Sequence, residues 1–385
     1  VNLAPADMKK DSSGLDLPIA MGILAASGQI TQEACANRVF IGELSLEGKL
    51  RGISGLLPMA IQVANHQFAD IFVAPENAQE ALLAGKILIY AAHSLEQIVQ
   101  HLKGISVLQP ETKKDVLSPS PLDQEDFADV QGQVIAKRAL EIAAAGGHNV
   151  LLVGPPGSGK TMLARRIPSI LPAMTREEAL EVTKIYSVAG LLSNNAALMQ
   201  NRPFRSPHHT ISDAGMIGGG RIPRPGEVTL SHHGVLFLDE LPEFPRQVLE
   251  VMRQPMEDGQ VCISRVNASV SFPAKFMLVA AMNPCPCGWL NDSLHSCHCS
   301  PGDVRRYIKR ISGPLLDRID MHVHVPRPEY NEIVSTNPTE SSQNIRRRVE
   351  AARNIQQERL RKYGLFCNAQ MGHRHLKSNC PLTNE

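Results

Sequence analysis

No strong charge bias runs through this sequence. Its 39 Lys and Arg residues balance 38 Asp and Glu, for a formal net charge of +1. That excludes a uniformly basic coat for nucleic acid, so any such contact must come from local patches. No apolar run is long enough to span a membrane, and no signal peptide is recognisable. No internal repeat is visible. Cys35, Cys262, Cys367 and Cys380 are scattered, which argues against a secreted disulfide framework and for a reducing, cytoplasmic setting. What is present is apolar residue: 43% of 385 positions, ample for real cores. A chain of that length predicts two or three domains. It begins at Val1, inside a plausible strand, and ends in the polar "SNCPLTNE". The expectation is a fragment or a processed chain.

Residues 1–107 alternate apolar runs with glycine-bounded turns. "LDLPIAMGILAASG" predicts a helix closed by Gly28. "RVFIGELSLEGKLRGISG" predicts a hairpin turning at Glu47-Gly48, and "ADIFVAPEN" a buried strand. Together they read as an α+β domain. Residues 108–123, with three prolines and little periodicity, read as a linker. Residues 124–333 alternate helices with buried strands, the pattern of an α/β domain with a parallel sheet. Residues 334–385 open on the long basic helix "SSQNIRRRVEAARNIQQERLRKYG". Its Arg346, Arg347, Arg348 and Arg353 read as a solvated face.

"GPPGSGKT", Gly154-Pro155-Pro156-Gly157-Ser158-Gly159-Lys160-Thr161, follows the strand "NVLLV" and opens a helix at Met162. It fits G-x-x-x-x-G-K-[ST] in the required strand–loop–helix context. Its backbone N–H groups and helix N-terminus suit a β-phosphate. Lys160 is expected to reach the β- and γ-phosphates, and Thr161 to ligate Mg²⁺. In "GVLFLDE", two carboxylates leave a buried strand. Asp239 is expected to hold the Mg²⁺ hydration shell, and Glu240 to orient and deprotonate the attacking water. "KFMLVAAMNP" ends in Asn283, a polar group able to touch the γ-phosphate or the water; a turn-starting Asn is the plainer alternative. In "GPLLDRIDMHVHV", Arg318 is a candidate arginine finger for a neighbouring subunit's nucleotide. The alternative is an internal ion pair with Asp317 or Asp320.

The order of these pieces resembles that of an AAA+ ATPase. "DFADVQGQVIAKRALEIAAAGGHNVLLVGPPGSGKT" is similar to the superfamily's opening, which implies Val130, Gly132 and Gln133 near the adenine. More narrowly, "RPFRSPHHTISDAGMIGGG", "PRPGEVTLSHHGVLFLDELPEF", "AAMNPCPCG" and "RISGPLLDRIDMHVHVPR" resemble the magnesium-chelatase-like YifB/ComM family. The resemblance implies ATP and Mg²⁺ as cofactors and a ring, a hexamer, that moves on DNA in branch migration during integration of imported DNA. A magnesium-chelatase motor acting on porphyrin is the alternative. "DLPIAMGILAAS" and "GELSLEGKLRGISGLLPMAI" resemble the Lon protease domain, a ribosomal-S5-like fold. Asp16 falls where that domain has its nucleophilic Ser, and no Lys occurs between Lys49 and Lys86. Without the dyad a scaffold is expected, not a protease. The 334–385 segment would then begin a helical lid.

Two stretches are candidate DNA contacts. The first, "RSPHHTISDAGMIGGGRIPRPGEVTL", has a Gly218-Gly219-Gly220 run that cannot be helix interior. It predicts a loop or hairpin carrying His208, His209, Arg221 and Arg224. The second, "QVCISRVNASVSFP", predicts a hairpin turning near Val266-Asn267 with Arg265 near its tip. Such phosphate contacts imply sequence-independent binding. The pairs His208–His209 and His232–His233 could suggest a metal, but adjacent histidines rarely ligate one ion.

Two Cys-x-Cys pairs, Cys285/Cys287 and Cys297/Cys299, stand nine residues apart. Together they could complete a tetrahedral zinc site of structural kind, with His295 or His298 able to replace one thiol. A reduced, metal-free loop packed by Trp289 and a stress-sensitive disulfide are the alternatives.

Overall fold

The computed structural model describes residues 13–66, 68–113, 125–192, 198–220, 223–265, 268–292, 294–328 and 339–380. They divide into two compact units, one drawn from Val1–Pro119, Thr175–Gln200 and Ser264–Ser269, the other from Ser120–Met174, Asn201–Ile263 and Val270–Glu385.

In the first unit, helix α1 (Asp16–Ala26), strands β1 (Arg38–Phe40), β2 (Glu43–Leu44) and β3 (Leu50–Arg51), helix α2 (Leu56–Asn65), strand β4 (Asp70–Val73), helix α3 (Pro75–Ala81), strand β5 (Leu88–Ala91) and helix α4 (Leu95–Leu102) follow one another. The fully buried "DIFV" of β4 takes the centre of a parallel sheet ordered β1-β4-β5. Strands β2 and β3 pair antiparallel, and Gly48, at φ +76°, takes the left-handed turn between them. Asp16 Oδ2 accepts from the Leu44 N–H of that hairpin at 3.4 Å.

The helix Arg176–Ala189 follows the phosphate-loop helix in sequence yet groups with this first unit. Glu80, on α3, explains part of that grouping. Its buried carboxylate accepts from Leu57 N at 2.9 Å and Asn77 Nδ2 at 3.1 Å and bonds the Ser187 hydroxyl. Gly55 N also donates to Ser187 O at 2.9 Å. A carboxylate so enclosed must be fully hydrogen-bonded, which ties Ser187 to α2 and α3.

The second unit runs through helix α5 (Val134–Gly146), strand β6 (Val150–Val153), helix α6 (Lys160–Ile170), strands β7 (Phe204–Arg205), β8 (Gly218–Gly219), β9 (Arg224–Pro225), β10 (Val235–Leu238), β11 (Gln260–Arg265) and β12 (Ala268–Pro273), apart from their residues within Ser264–Ser269, then β13 (Met277–Met282), helix α7 (Pro301–Ile308), strand β14 (Met321–His324) and helix α8 (Ser342–Leu360). Five strands form one wholly parallel sheet, ordered β14-β6-β13-β10-β7. Successive residues of the central strands face opposite layers. Val150, Leu152, Val235, Phe237, Val279 and Ala281 pack with α5, α6 and α8. Leu151, Leu236, Leu238, Leu278, Ala280 and Met282 pack with Met252, Val261, Tyr307 and Leu315 on the other side.

Both loops expected to reach DNA contain hairpins. In the first, β8 and β9 pair antiparallel, with Gly219 opposite Arg224. A Cβ on Gly218 would lie 2.4 Å from Arg224 O, so the pairing requires glycine there. Arg224 is exposed, and Arg221 lies outside the described residues. In the second hairpin Val261 and Ile263 are buried on one face, while Cys262, Ser264, Ser269 and Ser271 line the other. Its turn at Val266-Asn267 lies outside the described residues.

Candidate active site

Parallel pairing brings three chain ends to one edge of the sheet. Leu238 is level with Ala280, and Met282 with Val153. Asp239, Asn283 and Gly154 therefore leave their strands side by side, at the carboxyl edge where open parallel sheets bind ligands.

The phosphate loop is built on glycines where no other residue fits. A Cβ on Gly154 would lie 2.1 Å from Val325 O and 2.9 Å from Ser158 Oγ. Gly157 and Gly159 adopt φ of +75° and +88°, and a Cβ on either would meet nothing within 4 Å. The loop is thus closed behind, toward the sheet, and open in front, as a phosphate cradle requires. Gln133, at φ +53°, caps α5 and sends Nε2 to Ser158 O at 3.1 Å and Pro326 O at 2.7 Å. Gly132 also takes a left-handed φ of +63°, and Val130 is buried. Met162 lies exposed on the first turn of α6.

Lys160 is buried, and its Nζ donates to Gly154 O at 2.8 Å, Pro155 O at 2.9 Å and Asn283 Oδ1 at 3.3 Å. Burial lowers its pKa, while the Asp239 carboxylate pulls the other way. Thr161 Oγ1 donates to Asp239 Oδ2 at 2.6 Å. The second Asp239 oxygen accepts from Glu240 N at 2.9 Å. Glu240 itself is exposed, at φ +53°, with its carboxylate 3.3 Å from His209 Nδ1. The loop thus holds an ammonium against an amide oxygen, and a hydroxyl against a carboxylate. This donor set suits a triphosphate and an oxygen-seeking cation.

Three placements differ from what the motifs suggest. His209 faces Glu240 inside the site, with its ring 4.1 Å from that of the exposed His208. Arg318 pairs with Glu257 rather than Asp317 or Asp320, and its Nη1 donates to Pro314 O at 2.7 Å. Asp320 is engaged by Asn149 N at 2.9 Å and His148 at 3.4 Å. Asn149 is the residue that motif reading missed. Its side chain also holds Arg318 O and Leu278 N, at 2.9 and 2.8 Å, and so locks β6, β13 and the approach to β14 together. Its only sequence signal is a polar residue just before a buried strand. His232, considered for a metal, accepts from Lys275 N at 3.0 Å on Nδ1.

The four cysteines of the loop after Asn283 converge. Sγ–Sγ separations are 3.3 Å for Cys285–Cys287, 3.7 Å for Cys285–Cys297 and 3.6 Å for Cys287–Cys297. All four sulfurs, that of Cys299 included, lie within 4.8 Å of one another. Tyr307, on α7, is buried beside Asn283, and its hydroxyl is pushed up to about 12, by burial above all.

Fold and site define a P-loop ATPase of the AAA+ class. The family described as "Magnesium chelatase, subunit ChlI" matches residues 126–333; "Subunit ChlI of Mg-chelatase" matches 1–77, and "Magnesium chelatase, subunit ChlI C-terminal" matches 339–385. The chain is 45% identical over 385 residues to "Competence protein ComM" of Haemophilus influenzae, covering 98% of this chain and 74% of that protein. It is 44% identical over 387 residues to "Uncharacterized protein YifB" of Escherichia coli, covering 100% and 74%. To the "Magnesium-chelatase 67 kDa subunit" of Chlorobaculum parvum it is 30% identical over 164 residues, 41% of this chain and 23% of that protein. The chain belongs to the magnesium-chelatase-like YifB/ComM family. Among the described residues no helix is long and apolar enough to cross a membrane.

Proposed function

We propose that this chain is a ring-forming ATPase, a hexamer, that moves along DNA and drives branch migration as imported DNA recombines. The observation that supports it best is the contact between His209 and Glu240. It joins the segment expected to touch DNA to the carboxylate expected to activate water, a direct route by which a strand in the pore could alter hydrolysis. The name of the Haemophilus relative, a competence protein, points the same way.

In this reading Lys160 and the loop amides hold the triphosphate, and Thr161 and Asp239 hold Mg²⁺. When bound, that ion neutralises phosphate charge. Glu240 accepts the proton of the attacking water, Asn283 orients that water, and Arg318 reaches a neighbouring subunit's nucleotide. Arg265, His208, Arg221 and Arg224 supply phosphate contacts. The first unit serves as a scaffold, with Asp16 occupied in holding β2.

ATP hydrolysis measured alone, with forked DNA and with porphyrin separates the readings. Stimulation by DNA of any sequence, falling steeply as salt rises, is expected. Stimulation by porphyrin but not by DNA would replace this function with a chelatase motor, the reading favoured by the family's printed name and the Chlorobaculum relative.

A further inference from the structure

We propose that Cys285, Cys287, Cys297 and Cys299 bind one Zn²⁺, as a structural site that fixes the loop after Asn283 against the phosphate loop. Four thiolates around one zinc at about 2.3 Å form a tetrahedron whose edges are about 3.8 Å. Three of the pairs stand at 3.3, 3.7 and 3.6 Å, and all four sulfurs fall within 4.8 Å. A disulfide brings two sulfurs to about 2.05 Å, and all eight cysteines are free. An iron–sulfur cluster spreads its cysteines around several metal atoms, farther apart than these. The separations fit a single ion.

The backbone is shaped for the same purpose. Gly288 N donates to Cys285 O at 3.0 Å, and Gly288 turns at φ +84°, which folds the first pair into a tight knuckle. Neutral thiols are weak hydrogen-bond partners. They give little reason to bring four sulfurs together on a short loop, whereas deprotonated thiolates sharing an ion give a strong one. The histidines of the loop are not needed. His295 Nδ1 sits 2.9 Å from Asp292 Oδ2 and its ring stacks on Trp289 at 4.3 Å, while the Arg327 guanidinium lies over the Trp289 ring, 5.3 Å from its centroid. Four protein ligands leave no open position, so the ion takes no part in chemistry.

Its place makes the site matter. Gly288 lies directly on the phosphate loop: a Cβ there would be 2.6 Å from Pro156 Cδ and 2.8 Å from Pro156 Cγ. Asn283, bonded to Lys160, stands two positions before Cys285, with Pro284 between them. On the far side, Ser300 follows Cys299 at once and caps α7 through Asp303. The ion would thus hold Pro156, Asn283 and the start of α7 in one arrangement.

The test is metal analysis of the chain purified without chelator or added metal. About one zinc per chain is expected, with an X-ray absorption shell of sulfur near 2.3 Å. Cobalt substitution should give the visible spectrum of a tetrahedral thiolate site. Cys297→Ser should lose most of the zinc, while Cys262→Ser, at an exposed cysteine on the β11–β12 hairpin, should keep it. Less than about half an equivalent of zinc, iron in its place, a shell of nitrogen and oxygen, or full zinc retained by Cys297→Ser would each overturn the site. If Cys297→Ser does not fold, the stoichiometry and spectra of the unaltered chain still decide. No nucleotide enters these measurements, so a zinc-loaded chain inactive toward ATP would refute the proposed function and leave the site standing.

Discussion

Glu240 shows how much the active site asks of single residues. A left-handed backbone at a non-glycine residue costs about 1–2 kcal/mol, and Glu240 sits at φ +53°. Two bonds offset the strain: Glu240 N to Asp239 Oδ1 at 2.9 Å, and Glu243 N to Glu240 O at 2.8 Å. The result turns the chain sharply after β10 and points the carboxylate at His209. Strain of this kind collects where function fixes geometry. Glu240→Gln should therefore bind ATP as before and hydrolyse it about 10²–10⁴-fold more slowly. Filter binding and phosphate release measure the two steps separately; hydrolysis within a few-fold of the original would remove Glu240 from the role of base. His209→Ala tests the link. It should lower the ratio of DNA-stimulated to unstimulated ATPase, and an unchanged ratio would mean that the 3.3 Å contact carries no signal.

At the scale of elements, helix α8 keeps Arg347 and Arg348 exposed on its basic side, and its other side packs into the second unit. Ile345 and Val349 are buried against α5 and α6. Arg353 donates to Ala144 O and Ala145 O at 2.7 and 2.9 Å, satisfying carbonyls at the end of α5. Arg348 bonds Glu141 Oε1 at 2.6 Å and Glu340 Oε2 at 2.8 Å, and Glu141 is buried. Removing the guanidinium would leave that carboxylate to Arg138, whose Nη1 lies 3.0 Å from Glu141 Oε2. Arg348→Ala should cost about 1–2 kcal/mol, reduced from a fully buried value because Arg348 is half exposed. Its hydrogen bonds hold the pKa of both carboxylates below their usual range. Groups depressed in this way stabilise the fold above their unfolded pKa of about 4.3, and that stability is lost as pH falls through the folded values. The variant should thus show a shallower loss of stability on acidification, read by urea midpoints from pH 7 downward. An equally steep acid limb would contradict the assignment.

Legibility in the sequence followed the range of the interactions. "VLLV", "VLFL" and "MLVAAM" could be read as buried parallel strands because each is apolar throughout, and their ends then placed Lys160, Asp239 and Asn283 together. The β2–β3 turn at Gly48 and the length of α8 are equally local. By contrast, the partner of Arg318 is Glu257, remote in sequence and on no shared period. The grouping of Arg176–Ala189 with the first unit depends on Glu80 meeting Ser187, which neither segment's pattern announces. The cysteine spacing suggested a metal, but only folding shows that the sulfurs meet.

For the whole molecule the decisive question is whether one chain completes its own site. Lys160, Thr161, Asp239, Glu240 and Asn283 gather at one sheet edge. Arg318 is instead held by Glu257 and by Pro314 O. Such a pair is half exposed, at 30% and 47% of the two side chains, and exposed pairs are worth little. It can therefore be exchanged for a phosphate on an adjoining subunit at small cost. An arginine finger supplied in trans contributes about 10³–10⁵ in rate, so Arg318→Ala alone should bind ATP and hydrolyse it very slowly. Mixed rings give the sharper test. In a ring of Arg318→Ala and Glu240→Gln subunits, some sites join an intact Glu240 from one chain to an intact Arg318 from its neighbour. Two inactive preparations should then recover activity on mixing, rising and falling with their ratio. If Arg318 only stabilises its own chain through Glu257, no mixture recovers, because every subunit still carries its own defect.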